Sequence, residues 1–106
     1  MDVEDGAIIY LCVNTTQYVG LSEHNDLILT TPEKAVEFTL KRHADFVRLH
    51  TSDNIYIPVV LEDKVMLYTD NFEHITCFNE NLDNITIESI KYDSHCQKAL
   101  FTVSRS

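Results

Sequence analysis

At 106 residues, 44% of them hydrophobic, the chain has room for one domain with one core. Its 17 acidic residues against 8 Lys and Arg leave a formal net charge of -9. That balance excludes the basic footprint of a nucleic-acid binder and disfavours docking on an anionic membrane face.

Residues 1–6 are acidic and are expected to form a disordered start. They lack the positive charge of a secretory signal, and no later run approaches the roughly 20 apolar residues of a membrane helix. With three cysteines, Cys12, Cys77 and Cys96, and no C-x-x-C pair, the chain is expected to be intracellular, cytoplasmic or nuclear, with reduced and half-buried thiols. The sequons at Asn14 and Asn84 are read as chance occurrences in an Asn- and Thr-rich chain.

β-Branched and aromatic residues then recur in short runs separated by Asn, Asp and Ser. They predict strands at 8–14, 18–22, 27–30, 36–41, 46–50, 55–60, 64–68, 74–78, 85–90 and 99–104. Between them, 23–26, 52–54, 62–63, 70–71 and 81–84 carry turn chemistry. Asn and Asp bond back to their own backbone and tolerate left-handed conformations, which suits a chain with only two glycines. Thr31-Pro32-Glu33 reads as a helix start, with a Thr cap and Pro at the first helical position. Two outcomes compete there: one helical turn followed by a strand, or a full helix from Pro32 to about residue 43 that would make the fold α+β. The alternation of Val36, Phe38 and Leu40 with polar neighbours favours the strand.

An internal repeat supports that choice. A shift of about 38 residues lays Ile9-Tyr10-Leu11 on Val47-Arg48-Leu49, Tyr18-Val19 on Tyr56-Ile57, and Leu27-Ile28-Leu29 on Val65-Met66-Leu67, without a gap. Each unit of about 40 residues holds four short strands and cannot bury its apolar face alone. The series Ala35-Val36-Glu37-Phe38-Thr39-Leu40, then Phe46-Val47-Arg48-Leu49-His50-Thr51, then Tyr56-Ile57 resembles the β-trefoil proteins of the fascin and hisactophilin kind, over about two and a half units. The resemblance implies one all-β domain over residues 1–106, a trefoil-like barrel of about ten short antiparallel strands. By that spacing the third unit is short by roughly 15 residues, so a second copy completing the barrel as a homo-oligomer is a further expectation.

The chemistry-bearing residues offer little for catalysis. His74 and Cys77 with His95 and Cys96 formally make a zinc set, but neighbours on a strand point to opposite faces, and no metal is expected. Cys12, within the first strand, is expected to pack, and Cys96 is the more exposed thiol. Paired acids such as Glu62 and Asp63 read as solvated turn residues rather than a general acid–base pair. The absence of Trp removes the Gln-x-Trp triad of lectin-like trefoils, leaving Tyr18 and Tyr56 as the aromatics for a sugar, although their repeated position suits the core. His24, His43, His50, His74 and His95 read as surface histidines.

The expectation is therefore a non-enzymatic binding module, without cofactor, that recognises a protein partner through acidic turns. The fold resemblance implies binding through loops, and the charge implies a basic partner surface. The candidate contacts are Glu23, His24 and Asp26, Glu62 and Asp63, and Asp70 and Glu73. A carbohydrate-binding module, a protease inhibitor and a structural or regulatory oligomer subunit stand as alternatives.

Overall fold

The computed structural model describes residues 4–44, 46–90 and 98–105. The described residues form ten strands: β1 (Ile8–Cys12), β2 (Tyr18–Leu21), β3 (Leu27–Thr30), β4 (Phe38–His43), β5 (Phe46–His50), β6 (Ile55–Leu61), β7 (Lys64–Thr69), β8 (His74–Phe78), β9 (Ile85–Ser89) and β10 (Phe101–Arg105). The helical element at the predicted Thr31-Pro32 start is a single 3-10 turn, Pro32–Lys34. The full helix from Pro32 is thus not formed. Extended, residues 38–43 bury Phe38 and Leu40 completely and pair with both β5 and β1. A helical face built on Val36 and Leu40 would have left Phe38 off the core. The strand begins at Phe38 rather than Val36, because the Val36 N–H donates to the Val19 carbonyl beneath the β2–β3 hairpin.

All pairings are antiparallel, and six strands close a barrel in the order β1, β4, β5, β6, β7, β10 and back to β1. The closing strand, β10, pairs Phe101 with Val65 on one side and Val103 with Leu11 on the other. Closure therefore occurs within one chain. Two hairpins extend beyond the ring: β2–β3 continues from the end of β1, and β8–β9 continues from β7.

Alternation puts one face of each barrel strand inside. Ile9 and Leu11, Phe38 and Leu40, Leu49, Val65 and Leu67, and Phe101 are fully buried and form one cluster. Phe38 meets Tyr56 edge-on at 6.2 Å between ring centroids. A smaller cluster of Ile75, Cys77 and Ala99 lies under the β8–β9 hairpin.

The turns divide their work in a way the sequence did not announce. Besides Gly6, the left-handed positions among the described residues are Asn25, Ala44, Glu62, Phe72 and Leu82, only one of them an Asn. The other turn residues of the polar class supply hydrogen bonds instead. Asn71 Oδ1 accepts the Glu73 N–H at 3.0 Å, and Asn79 Oδ1 accepts those of Asp83 at 2.9 Å and Asn84 at 3.2 Å. The amino-terminal segment is also tied down where it is described: the Gly6 N–H donates to the Leu40 carbonyl at 2.7 Å, and Asp5 accepts the Arg42 N–H at 2.7 Å. The expected loose start thus does not extend to Asp5 and Gly6.

Candidate functional site

The three acidic turns do not converge. Glu62 and Asp63 cap the far end of the β6–β7 hairpin, where Leu61 pairs with Lys64. Asp70 and Glu73 follow β7 back to the opposite end, where Thr69 pairs with Tyr56, a separation of about 20 Å along the strands. Asp70 is spent on an ion pair, 3.6 Å from the Arg48 guanidinium. Glu73 lines a separate depression with Phe72 and His74.

Glu23, His24 and Asp26 sit on the β2–β3 turn, and here the fold builds a groove. Ser22 Oγ accepts the N–H groups of His24 at 3.2 Å and Asp26 at 3.1 Å, and Asn25 takes a left-handed φ of 65°. This fixes the turn as a rigid loop. It is then stapled to the β5–β6 turn: Asn25 Nδ2 donates to Asp53 Oδ2 at 2.5 Å, and Asn54 Nδ2 donates to the Asn25 carbonyl at 3.2 Å. A cavity of about 760 Å³ opens against these two turns. Asp26 and Asp53 stand on its rim, and Tyr56, Ile85 and Ile87 supply its apolar wall.

The electrostatics are one-sided. Among the described residues no Lys or Arg lines the groove, and Asp26 has no ion-pair partner. His24 lies 3.5 Å from Glu23, with both side chains largely in solvent. Burial pushes the Tyr56 phenol above its ordinary range, and the nearby Asp26 charge adds to the shift. Tyr56 therefore stays protonated. It is also only 5% exposed, so its ring face is not open for stacking on a sugar. Tyr18 is half-buried in β2, opposite Cys12.

The cysteines differ from expectation. Cys77 is in a disulfide, so the reading of three reduced thiols is corrected at that residue. Cys12 is free and buried, and burial raises its thiol pKa, which opposes thiolate chemistry. His95 and Cys96 lie outside the described residues. His74 and Cys77 fall on opposite faces of β8 by their odd spacing, and the described residues hold no group of three or more His, Cys, Asp or Glu placed for a metal ion. No described helix is long and apolar enough to cross a membrane.

Sequence reasoning missed Asp53, Ile85 and Ile87 as partners of the β2–β3 turn. The turn at 52–54 was legible, but its approach to residues 22–26 follows from barrel curvature, which no local pattern records. It also missed a cationic strip. Lys41 is directly opposite Arg48, and His43 opposite Phe46, so these side chains share one face with His50. Arg48 lies over the Phe46 ring at 5.6 Å. The alternation of Lys41 with His43 and of Arg48 with His50 was the available signal. No protein-family model, no curated protein and no solved structure matches the chain.

Proposed function

We propose that the chain is a non-enzymatic binding module of trefoil-like build, and that it takes a protein partner with a basic surface at the groove between the β2–β3 and β5–β6 turns. The observation that carries this reading is the groove itself: carboxylates of Asp26 and Asp53, apolar Ile85 and Ile87 on the wall, and no Lys or Arg among the described lining residues. An apolar floor with a few oriented polar groups is the usual composition of a recognition site. A net charge of -9 steers basic partners toward it and speeds encounter at low salt. The trefoil-like build rests on the repeat, which aligns β1 with β5, β2 with β6 and β3 with β7, while β2–β3 lies outside the closed ring and β6–β7 within it.

Within this reading, Glu23, His24 and Asp26 are contact residues, and Glu62, Asp63, Asp70 and Glu73 contribute only to the long-range field. Disulfides persist mainly in oxidising compartments, and Cys77 is in one, which argues against the expected intracellular placement. A photo-reactive side chain introduced at Ile87, which is 51% exposed, tests the site against the same group at Glu33, exposed on the 3-10 turn away from the groove. The expected result is a cross-linked protein partner from position 87 alone, with a yield that falls as salt rises. Equal capture from both positions, or none from position 87, rejects the groove as the binding site.

A further inference from the structure

The sequons Asn14-Thr15-Thr16 and Asn84-Ile85-Thr86 carry little weight as bare patterns in an Asn- and Thr-rich chain. The fold changes that. Every residue the motif requires, Asn14 and Thr16 in one and Asn84 and Thr86 in the other, is exposed. Both asparagines sit in turns at strand ends, Asn14 after β1 and Asn84 before β9, where added bulk displaces no core side chain. The two turns also lie together, because the Gln17 side-chain amide donates to the Leu82 carbonyl. The Cys77 disulfide is an observation of a different kind. Disulfides persist mainly in oxidising compartments, and in secreted proteins sequons on surface loops are glycan acceptors. We propose that Asn14 and Asn84 are N-glycosylated, so that one end of the molecule carries both glycans.

The local geometry accommodates the modification at each turn. Asn14 Oδ1 accepts the Thr16 hydroxyl at 3.0 Å and the N–H groups of Thr16 and Gln17 at 2.9 Å each, which closes an Asx turn. Those bonds do not use the reacting nitrogen, and only the 2.7 Å bond from Asn14 Nδ2 to Gln17 Oε1 does. Asn84 is held through its backbone: its N–H donates to Asn79 Oδ1 at 3.2 Å, and its carbonyl accepts the Asn79 N–H at 3.4 Å. Thr86 is directly opposite Cys77, so the second sequon and the disulfide share one hairpin. Ile85 and Ile87 alternate with Thr86, so the motif's hydroxyl and the groove wall use different faces of β9. In the transfer, Asn Nδ2 loses one proton and bonds to the anomeric carbon of an oligosaccharide carried on a polyprenyl pyrophosphate. The bond from that carbon to the pyrophosphate breaks, and the lipid pyrophosphate leaves with the electron pair. Neither glycan depends on the groove being the partner site.

The full chain, produced behind a cleavable leader in secretory eukaryotic cells, is expected to run as a species with two mass steps, both removed by peptide-N-glycosidase F. Thr16→Ala is expected to remove one step and Thr86→Ala the other, whereas Thr16→Ser and Thr86→Ser keep the hydroxyl and retain them. Reading the steps in whole-cell lysate prevents a poorly secreted variant from hiding its glycan. The chain purified from the cells that make it is then treated with the same enzyme in heavy-oxygen water, which labels each formerly glycosylated Asn for peptide mass spectrometry. Label is expected at positions 14 and 84. Absence of both steps, steps that persist in the Thr→Ala variants, or a native chain without label overturns the proposal. Label at one position alone overturns it for the other.

Discussion

His50 shows how a single residue carries charge history from its neighbours. It is half-buried on β5, its Nε2 is buried without a hydrogen-bond partner among the described residues, and it shares the outer face of the β4–β5 hairpin with Lys41 and Arg48. Burial lowers its pKa first, Lys41 and Arg48 lower it further, and Asp70 pulls partly the other way. The folded chain therefore resists protonating a group that the unfolded chain protonates from about pH 6.5 downward. Stability linked to His50 is complete above that pH and is lost as pH falls through the lower folded value. Urea unfolding at a series of pH values should show this decline, and His50→Asn should flatten it. An unchanged pH slope in His50→Asn would show that the neighbouring cations do not act on this residue. The sequence made His50 visible only as one more surface histidine, because the cross-strand register that sets it among cations is not a local property.

Among elements, the β2–β3 hairpin has the tightest requirement. Gly20 lies where a Cβ would come within 2.5 Å of Thr30 Cγ2 and 3.0 Å of the Lys34 carbonyl. The hairpin is thus pressed onto the 3-10 turn, and only glycine permits the approach. Gly20→Ala should cost about 1–3 kcal/mol, and adding Thr30→Ser should recover part of it by removing the closer methyl. Equal midpoints for Gly20→Ala and the parent in chemical denaturation would contradict this packing. Most strands were legible at this scale. β3, β5 and β8 have the boundaries that alternation and flanking Asn, Asp and Ser indicate, and β4 shifts by two residues because Val36 is used by β2. The 3-10 turn was legible from Thr31-Pro32 and its early stop from the alternation that follows. What the elements could not show was which positions turn left-handed. Ala44, Glu62, Phe72 and Leu82 do so against their intrinsic preference, which costs roughly 1–2 kcal/mol each, because hairpin geometry on either side imposes it.

For the whole molecule, closure decides both the core and the site. β10 joins β1 to β7, and its fully buried Phe101 meets Phe78 edge-on at 5.3 Å. Such pairings are long-range, so the ring order was beyond any windowed reading of the chain, even though each strand was within it. The same closure sends β2–β3 and β8–β9 outward as the two hairpins whose edges border the groove. Acidity looked in the sequence like a property of many turns. Folded, it sorts into a rim at Asp26 and Asp53, an ion pair at Asp70, and turns remote from the groove at Glu62 and Asp63. That sorting leaves one acidic rim beside an apolar wall among the described residues, the place at which the partner is proposed to bind. The direct measurement is an amide NMR titration of the chain with a nine-residue basic peptide of alternating Lys and Val. The account predicts chemical-shift changes concentrated at residues 22–26, 53–54 and 85–88, fading as salt increases. Changes centred on Glu62 and Asp63, or on Asp70 and Glu73, with the groove silent, would contradict it.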